Sequence, residues 1–291
     1  MTGLGSAVRA ASATLREAGV ASPEVDAVEL AAHVLGVAAH EVRRRMIVGG
    51  SLPDSFDEAY AAVLAERARR VPLQHLTGRA PFRTLTLHVG PGVFVPRPET
   101  EVVVELALAE VDRLLGTRPS GIRLVDLCSG SGAIALAVKT ERPRVHVRAI
   151  ELSGDAVAWA TANRDRLGLD VAILQGDATE PAIPDWSGSV DLVTANPPYI
   201  PSDAVPVDPE VRDHDPEVAL YGGSEDGLAI PLRVAAAAAE LLGPGGLLLM
   251  EHADTQGESL PARLLSTGQW SFVVDHVDLS GRPRVTAARR A

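Results

Sequence analysis

The stretch Asn196-Pro197-Pro198-Tyr199 carries the clearest chemistry in this chain. It follows an apolar, strand-like run from Val190 to Ala195. Proline donates no backbone hydrogen bond, so a central strand must stop there. Pro198 also pushes Pro197 into an extended conformation. Two neighbouring carbonyls are thereby held with little freedom beside the carboxamide of Asn196. Together they form an acceptor array for an NH2 group, and a planar substrate carrying that group can lie against the Tyr199 ring. A plain proline turn needs neither the amide nor the aromatic.

A second motif can supply the reaction partner. Asp126-Leu127-Cys128-Ser129-Gly130-Ser131-Gly132-Ala133 follows the strand-like Ile122 to Val125 and leads into a helical run. Glycines let a ligand approach the backbone, and a helix N-terminus presents free N–H groups to a carboxylate or phosphate. A second strand ends in Glu151, about 20 residues on, where an acid accepts hydrogen bonds from ribose hydroxyls. Gly130, Gly132 and Ala135 also fit the dinucleotide fingerprint G-x-G-x-x-A, so this motif alone leaves a nicotinamide-dependent oxidoreductase open.

The elements that must position these loops alternate from Gly121 onward. Strands are expected at 122–127, 145–150, 171–174, 190–195 and 246–251, and helices at 132–140, 154–167, 227–242 and 257–267. This alternation implies an α/β fold with a parallel sheet covered on both faces. Both loops then lie at the carboxyl edge, where open α/β sheets bind ligands. Phe272–Asp278 and Arg284–Arg289 read as a terminal hairpin. Upstream, residues 1–71 read as a small helical domain, with Ser22-Pro23-Glu24 as a helix start and Gly36 and Gly49-Gly50 as stops. Residues 72–97 read as a β-hairpin linker, its strands Phe82–Val89 and Gly92–Val95 joined at Gly90-Pro91. Residues 98–291 form the catalytic domain. Arg97, pinned between Pro96 and Pro98, is aimed at a fixed place.

Composition narrows the classes. The chain has 291 residues, of which 46% are hydrophobic and only 3% aromatic, so a large aliphatic core is expected. The formal net charge of -11 lacks the basic footprint of a protein that grips duplex nucleic acid. The local cluster Arg67, Arg69 and Arg70 reads as a solvated helix end near a C-terminal dipole. The single cysteine, Cys128, excludes an internal disulfide framework and a cysteine-rich metal site. The eight histidines follow no metal-binding spacing, and His252 reads as a satisfied polar residue. There is no signal-peptide layout and no apolar run of the ~18 residues that span a membrane. A soluble, cytoplasmic protein is expected.

Taken together, these residues resemble the class I methyltransferases that use S-adenosylmethionine. More closely, the chain is similar to the protein-(glutamine) methyltransferases that modify bacterial peptide chain release factors. The similarity runs through Pro72 to Gly78, Gly92 to Glu101, Asp126 to Ala137, Asn196 to Ile200, Gly222 to Leu228 and Gly281 to Val285. It departs at Cys128, where the family usually has glycine, and at Asp213-His214-Asp215-Pro216, where a Tyr-Glu-Pro-like sequence is expected. A thiol at 128 is tolerated unless the backbone there needs a positive φ.

The resemblance implies a Rossmann-like doubly wound sheet with a C-terminal antiparallel hairpin and a small all-helical N-terminal domain. It implies an enzyme that methylates the side-chain amide nitrogen of the glutamine in a release factor's Gly-Gly-Gln motif. Asn196, Pro197 and Tyr199 would be catalytic, and Pro198 and Phe94 would help hold the substrate amide. Gly130 and Gly132 would meet the methionine end of S-adenosylmethionine, Glu151 the ribose, and Asp177 with Ala178 the adenine edge. Asp126 would fix the Gly-rich loop or meet the cofactor's amino group. Asn196 also faces the cofactor, and Arg97 and Thr100 would contact the methionine carboxylate or shape substrate access. The partner is a release factor; no metal, direct nucleic-acid contact or membrane is expected, and a monomer is. A nucleic-acid methyltransferase acting on an exocyclic amino group would use the same tetrad and is the alternative.

Overall fold

The computed structural model describes residues 3–118 and 121–291. In chain order the helices are α1 (Leu4–Glu17), α2 (Pro23–Leu35), α3 (Ala39–Val48), α4 (Phe56–Ala68), α5 (Leu73–Thr77), α6 (Glu101–Leu115), α7 (Ala133–Glu141), α8 (Gly154–Leu167), α9 (Pro209–His214), α10 (Ala229–Leu241) and α11 (Ser259–Ser266). The strands are β1 (Arg79–Phe82), β2 (Leu85–His88), β3 (Arg123–Leu127), β4 (His146–Glu151), β5 (Val171–Gln175), β6 (Val190–Ala195), β7 (Leu242–Glu251), β8 (Trp270–Val277) and β9 (Pro283–Arg290). The chain divides into two units, 1–79 with 207–214, and 80–206 with 215–291.

The first unit is helical, and α1 to α5 enclose an aliphatic core that includes Leu4, Val8, Leu15, Leu30 and Val42. Phe56 and Tyr60, both buried in it, stack with 5.1 Å between ring centroids. The arginine cluster is not a solvated helix end. Arg67 is buried; its Nε donates to Asp26 Oδ2 at 2.7 Å and its Nη1 meets Glu210 Oε1 at 2.7 Å. Arg70 Nε donates to Glu210 as well, at 2.8 Å. The dipole reading missed this because both acids are distant in sequence, and Glu210 sits on α9, a helix the sequence pattern did not reveal. Arg69 alone keeps an exposed helix-end position.

The second unit is built on a seven-stranded sheet of order β5-β4-β3-β6-β7-β9-β8. The first five strands run parallel; β9 is antiparallel to β7 and β8. This is the doubly wound sheet with a terminal antiparallel hairpin that the resemblance implies. Successive residues point to opposite faces. Leu124, Leu192 and Leu249 pack under α6 and α7, whereas Val125, Val193 and Leu248 pack under α10 and α11.

Two local expectations shift. The hairpin turns at Arg83-Thr84, between β1 and β2, and Gly90–Val95 is not a strand. Arg83 takes φ +50° there, its N–H donating to Glu101 Oε1 at 2.8 Å. Gly90 instead lies so close to Trp159 that a Cβ would stand 2.6 Å from the indole. Strand β7 also starts earlier than expected. Its register with β6 jumps from Val190↔Leu242 to Leu192↔Leu247, so the Gly243-Pro244-Gly245-Gly246 segment, which directly follows the end of α10, bulges within the strand.

Candidate active site

The strand order reverses between β3 and β6. The chain winds outward from β3 through β4 and β5, then returns to lay β6 against the other side of β3. That is the switch point at which open α/β sheets form a crevice. The register pairs Leu127 with Ala195, so the loops beginning at Cys128 and Asn196 leave the sheet side by side. Two motifs far apart in sequence become one site.

The first loop is shaped from beneath by Asp126, which is fully buried. Ser129 Oγ donates to its Oδ2 at 2.6 Å and Thr194 Oγ1 to its Oδ1 at 2.7 Å. Burial pushes this carboxyl up to about 6, and the neighbouring Glu151 charge adds to the rise; the hydrogen bonds from Ser129, Thr194 and Ala135 pull the other way. Cys128 occupies φ +58°, a left-handed conformation that glycine adopts without strain. Burial pushes its thiol well up, and the charges of Glu151, Asp126 and Asp177 add to that, which disfavours the thiolate.

The two glycines differ in use. Gly130, at φ +56°, has no atom within 4 Å of the space a Cβ would take. Gly132, at φ +83°, has Leu136 3.0 Å from that space and Ala160 3.4 Å from it, so it serves helix packing. Glu151, at the end of β4, ties this loop to the next: Gly130 N–H donates to its Oε2 at 2.7 Å and Ser153 N–H to its Oε1 at 2.8 Å. Each oxygen keeps a lone pair for a hydroxyl. Asp177 is exposed beyond β5; its Oδ1 accepts the N–H and hydroxyl of Thr179, both at 2.8 Å, which hold its carboxyl below the usual range. Ala178 beside it is buried.

On the second loop, Pro197 and Pro198 are buried and Asn196 and Tyr199 half-buried. Asn196 Nδ2 donates to Thr100 Oγ1 at 3.4 Å. Among the described residues no protein donor reaches Asn196 Oδ1 or the Pro197 carbonyl oxygen. The tetrad is braced from behind. Gln256 Nε2 donates to Tyr199 O at 3.0 Å and to Asp226 O at 2.9 Å. Ile200 exchanges backbone hydrogen bonds with Leu220 and Gly222, both at 2.8 Å. A Cβ on Gly227, which holds φ +71°, would stand 2.1 Å from Tyr199 O.

Thr100 is buried, and burial also keeps the proton on the Tyr199 phenol, which donates to Glu251 Oε1 at 3.4 Å. Arg97 reaches Asp215 Oδ2 at 2.8 Å and lies over the Phe94 ring, 5.0 Å from its centroid. Thus Asp126, Gly130 and Glu151 gather at the first loop, and Asn196, Tyr199 and Thr100 at the second. His252 is buried between Ala253 O at 2.8 Å and Asp275 Oδ1 at 2.7 Å. Among the described residues no group of three or more His, Cys, Asp or Glu could hold a metal, and no helix is long and apolar enough to cross a membrane.

Sequence reasoning missed Glu251, Gln256 and the role of Gly227. The signals were present: an acid ending the apolar run Leu247 to Met250, and two glycines, Gly222 and Gly227, bracketing a polar turn. Nothing in the pattern said that either would lie behind the tetrad.

Comparison with known proteins follows the same division. The PrmC N-terminal domain family matches residues 6–78 and the methyltransferase small domain family matches residues 85–208. The release factor glutamine methyltransferase of Streptomyces coelicolor is 49% identical over 286 residues, covering 98% of this chain and 97% of that protein. Its namesake from Mycolicibacterium smegmatis is 45% identical over 291 residues, covering 100% and 99%. That from Deinococcus radiodurans is 42% identical over 284 residues, covering 97% and 96%. Among solved structures, a methyltransferase from Pyrococcus furiosus aligns with a TM-score of 0.49 at 17% identity, covering 70% of this chain and 87% of that one.

Proposed function

This chain belongs to the release factor glutamine methyltransferase family, and from that premise we propose that it methylates the glutamine side-chain amide nitrogen in the Gly-Gly-Gln motif of class 1 peptide chain release factors. The observation that carries the reading is the pair of unengaged acceptors, Asn196 Oδ1 and the Pro197 carbonyl, beside the Gly-rich loop.

The residues fit S-adenosylmethionine. Gly130 leaves open space where a side chain would stand, and Glu151 keeps acceptor capacity for ribose hydroxyls. We assign Gly130 to the methionine end, Glu151 to the ribose, and Asp177 with Ala178 to the adenine edge. Gly132 and Asp126 hold the loop in shape. Bound there, the cofactor would supply an electrophilic sulfonium methyl, whose carbon–sulfur bond would break as the nitrogen–carbon bond forms, leaving the electron pair on sulfur.

An amide nitrogen is a poor nucleophile, because its lone pair is delocalised into the carbonyl. The chain's part is chiefly to hold it in line, which can supply roughly 7–11 kcal/mol. Asn196 Oδ1 and the Pro197 carbonyl each accept one substrate N–H. They point the lone pair at the methyl carbon and stabilise the positive charge that develops on nitrogen. Tyr199 and Phe94 flank the amide plane. The methylated cationic amide is strongly acidic and loses its proton to water without a dedicated base. Arg97, steadied by Asp215 and Phe94, lines the approach.

The helical unit grips the protein substrate, and the enzyme acts as a monomer in the cytoplasm, where its substrate is. The test is mass spectrometry of a release factor incubated with enzyme and methyl donor. One added methyl on the Gly-Gly-Gln glutamine is expected. Label appearing in ribosomal RNA or DNA instead would overturn the assignment.

A further inference from the structure

Glu251 ends β7, and the pairing of Ala195 with Met250 sets it beside the start of the tetrad. It is 2% exposed, and its Oε2 has no hydrogen-bond partner. The Tyr199 phenol donates to Oε1 at 3.4 Å, and the Thr100 hydroxyl faces this carboxylate. An unpaired buried carboxylate oxygen is costly, and a glutamine or methionine would fill the same space at less cost. A group kept at that cost beside the substrate loop calls for a role.

An ionised carboxylate only accepts. A Thr100 hydroxyl turned toward Glu251 is left with lone pairs, and Asn196 Nδ2 donates to one of them at 3.4 Å. That donation turns the Nδ2 end of the Asn196 amide toward Thr100. With Nδ2 bound to Thr100, Oδ1 is the end left for substrate. Taking the tetrad's role as proposed above, we infer that Glu251 is a positioning residue for methyl transfer: acting through Thr100 and Tyr199, it fixes the hydrogen-bond directions that present Asn196 Oδ1 to the substrate nitrogen.

The network has a pH dependence of definite sign. Burial pushes the Glu251 carboxyl up to about 7; Glu99 raises it further, while Thr100, Arg284 and Tyr199 pull it down. The groups facing it are thus Tyr199 from the loop after β6, Glu99 and Thr100 from the segment before α6, and Arg284 from β9. Above pH 7 the carboxylate accepts and the directions hold. Below it, a protonated Glu251 can donate to Thr100, whose own proton then turns to Asn196 and favours the flipped amide. The rate of transfer is expected to fall as pH drops through about 7.

The experiment is single-turnover methyl transfer to a release factor from pH 5.5 to 8.5, with wild type, Glu251→Gln, Thr100→Val and Thr100→Ser. Glu251→Gln should lower the rate at pH 8 by about 10²-fold, the scale of a small misplacement at the reacting atoms. Its S-adenosylhomocysteine affinity should stay within about threefold, and the acid limb near pH 7 should disappear. Thr100→Val should show the same loss and Thr100→Ser should restore both rate and limb. A Glu251→Gln rate within threefold of wild type, or a limb that persists in it, overturns the positioning role. Should Glu251→Gln fail to fold, the two Thr100 variants decide alone: a wild-type-like rate and limb in Thr100→Val overturns it. Absence of transfer by wild type would instead overturn the assigned substrate.

Discussion

Gly227→Ala perturbs the site through the Tyr199 main chain and leaves every side chain assigned to substrate unchanged. The added methyl would stand 2.1 Å from the Tyr199 carbonyl oxygen and 2.9 Å from its carbon. An ordinary carbon–oxygen contact is about 3.3 Å, so the two backbones must part by roughly 1 Å. Neither yields easily. Tyr199 is held between buried prolines and the hydrogen bonds of Ile200 to Leu220 and Gly222. Gly227 N–H is itself bonded to Ser224 O at 3.1 Å. The retained φ of +71° adds strain of about 1–2 kcal/mol. A shift of that size at Tyr199 is passed to Asn196 and Pro197, and misplacement by about 1 Å can cost 10²-fold in rate. Expected, therefore, are a kcat about 10²-fold down in a methyl-transfer assay and S-adenosylhomocysteine binding unchanged by calorimetry. Gly168→Ala is the control: it keeps a φ of +65° but has no atom within 4 Å of the new methyl, so it should lose stability and no rate. A folded Gly227→Ala enzyme with kcat within threefold of wild type would refute the reasoning.

Asn196→Ala should lower transfer by ~10²–10³, the scale for one pre-set charge-stabilising group, with cofactor binding little changed; turnover within a few-fold of wild type would remove Asn196 from this role. Glu151→Ala should weaken S-adenosylhomocysteine binding by about 1.5–3 kcal/mol, as loss of hydrogen bonds to a charged group does, with calorimetry as the readout. At Cys128, with φ +58°, the usual order of alanine over glycine should reverse: Cys128→Gly should melt above Cys128→Ala by the equivalent of about 1 kcal/mol. Glu210→Ala should destabilise the chain by about 1–3 kcal/mol, since it strips acceptors from Arg67 and Arg70. Hydrogen exchange over residues 207–214 should then quicken.

What the sequence revealed and what it withheld divide along a physical line. Apolar runs and glycine or proline punctuation report on local backbone, so β6 is found at the expected residues, Val190–Ala195, and α8 at Gly154–Leu167. Pro197, Pro198 and the Gly-rich loop announce themselves because backbone geometry restricts which residues can stand there. Glu210 shows where that ends: it joins Arg67 across 143 positions, and no periodicity carries such a pairing. Cys128 lies between the two cases. A positive φ at that point is a backbone demand, but a non-glycine residue hides it, and only the structure restores it. Glu251 lies furthest from reach. An acid after four apolar residues looks like any strand end until β7 is placed next to β6, because its meaning depends on Thr100 and Tyr199 arriving from separate elements. Residues that touch ligand are constrained by chemistry that leaves a local trace. Residues that orient them are constrained only by neighbours, and neighbours are set by strand order.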